Sequence, residues 1–414
     1  MDIESLFSTA LGISDPWYIT KVFFNNEKKR LDIHVDFSRG STFEHTDDIT
    51  GKSEPYKAYD TVEKRWRHLN FFEHECYLIV RTPRIRPNGK GAKLIMPPWH
   101  GVGGGFTLLF EKLILEMCTN MPVHRAGQIL GVSDRKLWKV LDAYVFKGEL
   151  QADHAHVQAI GIDETSLKRG HDYISLFVDL SERKTIHVSP GKDHKTVSAF
   201  AEKFKDQGGI ISNVKDVSCD MSPAFIKGVR ESLPDAHITF DKFHILKLVN
   251  TAVDAVRREE VTSEPCLKGA RYVLLKNEKN LTKKQRTKRE SLSQRNLKTF
   301  RALRIREAFQ DIYNAESFEE FRERLNKWYF WATHSRLAPI KKVAKTLKKH
   351  WDGILQWKKS QINNGILEGL NSVIQAAKRK ARGYGYEHFK TMTFLLTGKF
   401  DFNRINQYLP TRFA

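Results

Sequence analysis

The N-terminal part of the chain alternates apolar and polar side chains in short runs, which is the pattern of β-strands. Residues 17–38 alternate around a polar turn at 25–29 and therefore predict a β-hairpin. A second pair of strands is predicted at 65–69 and 76–84. The stretches between and after these strands are rich in Gly, Pro, Ser and Asp, and the glycine run at 101–105 predicts a flexible joint.

After the glycine run, the apolar positions recur with a helical period. The first helix is predicted to carry six apolar residues on one face: Phe106, Leu109, Phe110, Leu113, Ile114 and Met117. A short second helix runs into Gly131, and Ser133 is expected to cap a third. This order predicts a helix-turn-helix over 106–150, whose third helix enters the major groove with Arg135 or Lys136 facing DNA. Taken alone, the pattern fits a three-helix bundle without DNA equally well.

Strand and helix patterns alternate in the next segment. The predicted elements are strands at 157–162, 173–180 and 184–188, a helix at 195–204, a strand at 214–219, a further helix, and a strand at 237–240. Three antiparallel strands followed by helix, strand, helix and strand is the order of an RNase H-like α/β sheet. Because Asp163 and Asp220 end the first and fourth of these strands, that order places them on neighbouring central strands.

The segment from about 250 to 352 is helical and very basic. Between residues 268 and 306, fourteen Lys and Arg stand against two Glu. Such a run is usually a solvated helix face, and a DNA-facing side is the alternative. The aromatic cluster at 328–331 indicates that the segment is folded at least in part. Trp328 or Trp331 is a candidate for stacking on an unpaired base, although aromatic residues at helical spacing are more often core.

A late helix at 361–381 supplies a third acidic candidate, Glu368. Its buried side is predicted to carry Leu367, Leu370, Ile374, Ala377 and Ala381. Its other face follows Glu368 with Asn371, Gln375, Lys378 and Arg382 at steps of three and four. A single helical Glu is usually an ordinary surface carboxylate, so Glu368 gains weight only together with the two aspartates.

The composition indicates the kind of partner that the protein binds and excludes several classes of protein. The 69 Lys and Arg exceed the 49 Asp and Glu by 69 − 49 = 20 charges, which points to a polyanionic partner. With 40% hydrophobic residues the chain is too rich in packing residues to be disordered. We find no secretory signal, no apolar run long enough to span a bilayer, and no Cys-x-x-Cys pair among the four cysteines. These features favour a cytoplasmic protein.

Two buried aspartates on adjacent strands repel each other, and this repulsion is energetically unfavourable. A divalent cation bound between them removes the unfavourable energy. Mg²⁺ takes oxygen ligands and is normally held by one or two carboxylates plus substrate phosphates. Two such ions stabilise the attacking and leaving oxygens of a phosphoryl displacement. Asp163, Asp220 and Glu368 are therefore candidates for a metal-dependent phosphodiester-cleaving site.

The chain also resembles a known family, the DDE transposases of the bacterial ISL-three (ISL3) insertion sequences. The resemblance covers nearly the whole chain in order. It rests on YD at 59–60, RWRHL at 65–69, RTPR at 81–84, PW at 98–99, FTLLFE at 106–111, GIDE at 161–164, CDMS at 219–222, DKFH at 241–244, LEGLN at 367–371, KR at 378–379 and RGY at 382–384.

The resemblance implies that Asp163, Asp220 and Glu368 are the catalytic, metal-binding DDE triad and that Mg²⁺ or Mn²⁺ is the cofactor. It implies binding of double-stranded DNA at the terminal inverted repeats, followed by strand cleavage and strand transfer into target DNA. Phosphate contacts are expected from Lys378, Arg379, Lys380 and Arg382. A homodimer or larger synaptic complex in the bacterial cytoplasm at the nucleoid, and no membrane, would follow.

The resemblance further predicts a multidomain α+β fold. Its segments are an N-terminal ribbon-like module (1–105), a helix-turn-helix (106–150), the first part of an RNase H-like catalytic core (151–250), a basic helical insertion (251–352), and the last part of the core with the Glu-bearing helix and C-terminal tail (353–414).

The chain departs from the family pattern at its N-terminus, where members typically carry a zinc ribbon with paired cysteines. The corresponding stretches here read EHTDDITG at 44–51 and RPNGKG at 86–91, so the thiolates are missing. His45, Asp47, His74 and Cys76 are the remaining ligand types nearby, and we expect no zinc.

Two secondary candidates and one exclusion complete the site prediction. Asp241 and His244 resemble a pair that related transposases carry after the last core strand, and a helix cap with a satisfied His is at least as good an interpretation. Glu164 follows Asp163 directly and should point to the opposite sheet face, so it is not counted as a ligand.

Two other functions stay open: a domesticated DNA-binding protein without catalysis, and an RNase H-like nuclease specific for DNA structure.

Overall fold

The computed structural model describes residues 2–47, 51–87, 91–168, 172–276, 278–362 and 365–401. Their contacts divide them into two compact units. The first contains the described residues up to Gln151 and those from Ala376 onward, and the second is Ala152–Gln375. The fold is mixed α+β.

The first unit begins with a β-rich region. Its elements are α1 (Ile3–Leu11), β1 (Trp17–Asn25), β2 (Arg30–Phe37), β3 (Thr42–Thr46), β4 (Ser53–Lys57), β5 (Asp60–Arg67), β6 (Glu75–Ile85) and β7 (Lys93–Leu94). One sheet has the order β1-β2-β6-β5, with β7 along β6, and β3 pairs with β4 separately. Alternate residues of β2, from Leu31 to Phe37, are buried, so the predicted hairpin is confirmed. The β3–β4 hairpin lies in a stretch whose polar composition did not indicate strands.

Three helices follow: α2 (Leu108–Asn120), α3 (Val123–Leu130) and α4 (Asp134–Leu150). Gly131 ends α3 with a φ of 64°, the left-handed conformation that glycine adopts without strain. Ser133 stands at the N-cap position of α4 as predicted, but its side chain makes no capping hydrogen bond. Leu137 and Leu141 are buried on the inner side of α4.

The predicted flexible joint is wrong, because a buried carboxylate holds it. Glu111, which is 0% exposed, accepts hydrogen bonds from the amides of Val102 (2.7 Å) and Gly103 (2.9 Å). A Cβ on Gly103 would stand 2.8 Å from the backbone of Val140, so the loop also approaches α4 closely. Glu111 lies on the buried side of α2. The buried face is therefore rotated relative to the predicted one, and it includes Leu115, which is not among the six residues predicted for that face. An apolar pattern cannot reveal a buried acid.

The second unit contains a five-stranded mixed sheet. Its first elements are β8 (Ala159–Ser166), β9 (Tyr173–Asp179), β10 (Lys184–Pro190), α5 (His194–Asp206), β11 (Asp216–Cys219), α6 (Pro223–Ser232) and β12 (His237–Phe240). The strand order is β10-β9-β8-β11-β12, antiparallel on the β9 side of β8 and parallel from β8 to β12. The predicted sequence of elements is confirmed, and β8 continues past Asp163 to Ser166.

Helices complete this unit. They are α7 (Lys242–Glu260), α8 (Arg271–Leu275), α9 (Lys283–Ser293), α10 (Lys298–Ile312), α11 (Phe318–His334), α12 (Ala338–Lys348), α13 (Trp351–Ser360) and α14 (Gly365–Lys380). Residues of α7 and α10–α13 share one hydrophobic core with the sheet. A separate small core lies around α8 and α9.

The last described helix, α15 (Tyr386–Thr397), packs on α4 within the first unit. Thr391 Oγ1 donates to Asp142 Oδ1 at 2.7 Å, and the ring of His388 stacks on Trp138 with centroids 3.7 Å apart. Among the described helices, none has the length and hydropathy needed to cross a membrane.

Candidate active site

Three aspartates stand in a row across three neighbouring parallel strands: Asp163 lies within β8, and Asp220 and Asp241 directly follow β11 and β12. The β8–β11 register pairs Gly161 with Ser218, and two residues further along the same register Asp163 comes level with Asp220. The β11–β12 register ends at the pair of Cys219 and Phe240, so the next residues are Asp220 and Asp241. The prediction that Asp163 and Asp220 are placed on neighbouring central strands is confirmed, although Asp163 lies inside β8 rather than at its end, and the same row includes Asp241.

Each aspartate is held by a local backbone amide. Asp163 Oδ1 accepts from the amide of Glu164 at 2.9 Å, and Asp220 Oδ1 accepts from that of Ser222 at 2.9 Å. Asp241 is the N-cap of α7, where its Oδ1 accepts from the amide of Phe243 at 2.8 Å. The carboxylates of Asp220 and Asp241 are therefore oriented by the turns that end their strands, and that of Asp163 by the amide of the next residue in β8.

His244 joins these carboxylates into one electrostatic site. Its ring Nδ1 donates to Asp241 Oδ2 at 2.9 Å. The pKa of His244 is raised by this hydrogen bond, against the effect of burial, and then by the charges of Asp241, Asp163 and Asp220. Burial raises the pKa of Asp163 to about 6, although the Glu164 amide, the His244 charge and a hydrogen bond from Asn371 lower it. The site therefore brings three carboxyl groups together with one imidazole.

Helix α14 docks on the same face of β8 that carries Asp163. A Cβ on Gly161 would stand 2.8 Å from Leu367 Cδ2, so the missing side chain is what admits Leu367. One turn later, Asn371 Nδ2 donates to Asp163 Oδ2.

A further turn along α14, Gln375 Nε2 donates to Thr165 Oγ1 at 2.6 Å. Steps of four residues on the helix thus meet steps of two on the strand. The spacings match because four helical residues rise about 6 Å and two strand residues about 6.6 Å.

Glu368 follows Leu367 on α14 and is exposed. It lines a cavity of about 590 Å³ together with Asp241, the third aspartate of the row. Two lysines, Lys242 and Lys358, line the same cavity. The structure thus brings Glu368 to a cavity beside Asp241, while Asn371, one turn further along the helix, contacts Asp163 directly.

Asn371 is a site residue that sequence reasoning noted on the helix but did not assign a role. The orientation of its amide follows from its partner, because an ionised carboxylate only accepts hydrogen bonds. Among the described residues, its Oδ1 is buried without a hydrogen-bond partner. A buried carbonyl oxygen requires a partner, and a hard cation is one that fits. The candidate metal-ligand atoms, which are the carboxylate oxygens of Asp163, Asp220 and Glu368 and the amide oxygen of Asn371, are all oxygens. These residues therefore fit Mg²⁺ or Mn²⁺.

The structure distinguishes the two tryptophan candidates. Trp328 is 2% exposed, its indole N–H donates to the carbonyl of Ile305 at 2.8 Å, and its ring packs on Phe309. A ring enclosed in this way has no exposed face on which a base could stack. Trp328 is therefore a core residue, and the stacking role proposed for it is wrong. Trp331 is 44% exposed and remains a candidate.

The excluded Glu164 has a partner of its own. Its carboxylate lies 3.8 Å from Lys192 Nζ, and its pKa is raised first by burial and then, against the charge of Lys192, by the charges of Asp220 and Asp163. Its exclusion as a ligand stays a prediction.

The predicted DNA contacts lie at helix ends. Arg135 and Lys136 are exposed in the first turn of α4. The last turn of α14 contains Lys378, Arg379 and Lys380. Cations are favourable there because they lie at the negative end of the helix dipole. Lys378 is half-buried. Arg382 is exposed just beyond the helix.

The ligand types noted in the N-terminal region are scattered. Cys76 is buried in β6, and burial raises the pKa of its thiol to about 12. His45 Nε2 lies 3.2 Å from Lys93 Nζ, and His74 contacts Asn26. Residues 48–50 and 88–90 of the two ribbon stretches lie outside the described residues.

In the described second unit, His156, Asp179 and Glu182 offer ligand atoms within 4.8 Å of one another. They already interact, since His156 Nε2 contacts Asp179 Oδ2 at 3.3 Å and the amide of Ser181 donates to Asp179 Oδ1. Asp179 pairs with Ile160 at the opposite end of β8 from the row of aspartates.

Comparison with known proteins agrees with this geometry. Residues 160–393 match the family model described as transposase, DDE type, ISL3, and residues 96–145 match that of the helix-turn-helix domain of transposase family ISL3. The chain is 26% identical over 340 residues to the transposase for insertion sequence element IS1001 of Bordetella parapertussis, covering 79% of this chain and 82% of the relative. It is 24% identical over 350 residues to the transposase for insertion sequence element IS1557 of Mycobacterium tuberculosis, covering 78% of each.

Proposed function

The chain belongs to the ISL3 family of DDE transposases, and from that membership we propose that it moves an insertion sequence by cutting DNA at the terminal inverted repeats and joining the freed ends to target DNA. The observation that carries the proposal is the docking of α14 on β8. It attaches Asn371 to Asp163 and brings Glu368 to the cavity beside Asp241, although these residues lie far apart in the sequence.

We infer that the second unit is an RNase H-like catalytic core. Numbered within the unit, its strands have the order 3-2-1-4-5, and only the second is antiparallel to both its neighbours. The five segments 1–105, 106–150, 151–250, 251–352 and 353–414 remain our proposal for the functional division of the chain.

In the proposed site, Asp163 and Asp220 would hold two divalent cations and Glu368 would complete the site. Bound Mg²⁺ or Mn²⁺ would stabilise the charge that develops on the attacking and leaving oxygens of the phosphodiester. The Nδ2 group of Asn371 keeps the Asp163 carboxylate in place. The His244 ring, held by Asp241, adds positive charge beside the carboxylates and offers its other nitrogen to a phosphate oxygen.

DNA would be positioned by two groups of cations. Arg135 and Lys136 face the terminal repeat from the start of α4. Lys378, Arg379, Lys380 and Arg382 contact phosphates without reading sequence. Since two element ends must be brought together, the active form is at least a dimer.

The test is cleavage of a labelled duplex that carries the element's terminal repeat, with Mg²⁺ or EDTA. We expect metal-dependent nicking at the repeat boundary that is lost in Glu368→Gln and Asp220→Asn, because each removes a ligand charge. Glu387→Gln, which changes an exposed glutamate in the first turn of α15, is the matched control and should cut normally.

The same experiment separates the alternatives. Binding of the repeat without cutting by the wild type would show a DNA-binding protein without catalysis. Cutting of branched DNA or hybrids without preference for the repeat would show a nuclease.

A further inference from the structure

The helical segment between the second aspartate and Glu368 contains a separately packed piece, which we call the basic module: residues 261–276 and 278–303. Its small hydrophobic core is distinct from the core that the sheet shares with α7 and α10–α13. The buried members are Leu267, Ala270, Leu274, Leu292, Leu297 and Leu303. The module is therefore a folded unit around α8 and α9, with a surface of its own.

The module is firmly attached to the end of α7. Both carboxylate oxygens of Glu260 accept backbone amides at the start of α10, from Lys298 and Thr299, each at 2.7 Å. Asp254, also on α7, accepts from Arg257 at 2.8 Å and lies 3.6 Å from Arg271. These contacts give the surface of the module a defined orientation on α7.

Part of the positive charge in this region has a structural role. Arg289 pairs with Glu307, Arg295 lies 3.8 Å from Glu264, and Arg306 donates to Asn250 at 3.0 Å. The exposed cations of α9 are a different set: Lys283, Lys284, Arg286 and Lys288.

Three of these four cations, Lys283, Lys284 and Lys288, stand where they oppose the stability of the helix. No acidic residue occupies the first turn of α9, where Lys283 and Lys284 face the positive end of the helix dipole. Lys284 and Lys288 are four residues apart, the spacing at which like charges on a helix repel. Placement against the folding preference of the helix indicates selection for a partner with dense negative charge.

We propose that the exposed face of α9 binds the phosphate backbone of double-stranded DNA independently of its sequence. The identity of the polyanion rests on the proposed transposase function. The other exposed residues of α9, Thr287, Glu290, Ser291 and Ser293, include no Asn or Gln, and Gln285 is engaged in the capping box with Thr282. The face therefore supplies mainly charge rather than groups suited to reading base edges. It would hold DNA outside the terminal repeat, such as flanking or target DNA.

The test compares full-length variants by fluorescence anisotropy with a random-sequence duplex and a terminal-repeat duplex over a range of NaCl concentrations. One variant carries Lys283→Ala, Lys284→Ala, Arg286→Ala and Lys288→Ala. Alanine favours helix, so the variant should fold, and circular dichroism checks this. The matched control removes four exposed lysines, three from α12 and one at its C-cap: Lys341, Lys342, Lys345 and Lys349.

Each lost phosphate contact lowers the slope of log K against log salt by about 0.9. We expect the α9 variant to lose about 3 to 4 from this slope on the random duplex, and the α12 control to lose less than about 1. An unchanged slope in the α9 variant would overturn the proposal, and so would an equal loss in both variants, since that would report net charge alone.

A charge-conserving variant that exchanges Lys for Arg, and Arg286 for Lys, should keep the wild-type slope. The preference for the terminal repeat over the random duplex should be the same in the wild type and the α9 variant. If the wild type shows no such preference, the proposed function fails, while the slopes on the random duplex still decide the role of α9.

Discussion

The contact between Gly161 and Leu367 makes the docking of α14 testable by overpacking. A Cβ at position 161 would stand 2.8 Å from side-chain carbons of both Leu367 and Leu180, whereas ordinary contact begins at 3.4 Å. Gly161→Ala must therefore shift the ends of these leucine side chains, or α14 itself, by about 0.6 Å. A shift of α14 would move Asn371 relative to Asp163 and would move Glu368 on the same helix.

The magnitudes follow from packing. Overpacking by Gly161→Ala should lower the free energy of unfolding by about 1–3 kcal/mol. Leu367→Ala should lower it by about 2–5 kcal/mol, because Leu367 is buried against Val178 and Leu180. In the double variant the new methyl group occupies space that Leu367 vacated. The decrease in its free energy of unfolding should therefore be smaller, by about 1 kcal/mol or more, than the sum of the decreases in the two single variants. Since a misplacement of 1 Å costs about a hundredfold in rate, Gly161→Ala should slow cleavage about tenfold.

Urea unfolding and repeat cleavage would be measured for the two single variants and the double variant. The control is Gly369→Ala, because a Cβ there meets nothing within 4 Å. That change should stabilise the helix by up to about 1 kcal/mol and leave cleavage unchanged. Strict additivity of the two single variants would refute the docking of α14 on β8 described above, and wild-type cleavage by Gly161→Ala would refute the coupling of this contact to catalysis.

Three further predictions concern charge. Burial raises the pKa of Glu111 from 4.5 to about 7, so the folded state binds this proton more tightly, and stability should fall by up to about 3 kcal/mol as pH rises from about 4.5 to 7. Thermal unfolding of Glu111→Gln should lack this part of the pH dependence, whereas the exposed control Glu116→Gln should keep it; identical profiles for all three proteins would contradict the assignment. Asn371→Asp places a second carboxylate against Asp163, so its melting temperature should drop in EDTA and recover in Mg²⁺ by more than that of the wild type; no difference in recovery would count against the metal site. Arg135→Ala should weaken binding of the terminal repeat by about 1–3 kcal/mol, measured by anisotropy, and equal weakening on random duplex would argue against base reading.

Local pattern was enough to predict the order of elements from β8 to β12 and the β1–β2 hairpin, but not α1, the β3–β4 hairpin or the individual helices between α8 and α13. The strand at 237–240 has the predicted bounds, and the β1–β2 hairpin and the helices on either side of Gly131 are where period and turn residues indicated them. The two aspartates were found for the same reason, because each directly follows a buried apolar run, although only Asp220 ends its strand while β8 continues past Asp163. Such features depend on neighbours within a few residues, which is why a single sequence reveals them.

Tertiary structure decided which faces meet. The acid Glu111 is buried because two loop amides satisfy it, and the His388 ring from the end of the chain covers Trp138 on α4. The hydrogen bond between Asn371 and Asp163 joins residues 208 positions apart, and it depends on the space left by Gly161. Periodicity indicates that a face is buried, but the partner of that face is selected by shape and hydrogen bonding between distant segments. Those contacts exist only once the chain has folded.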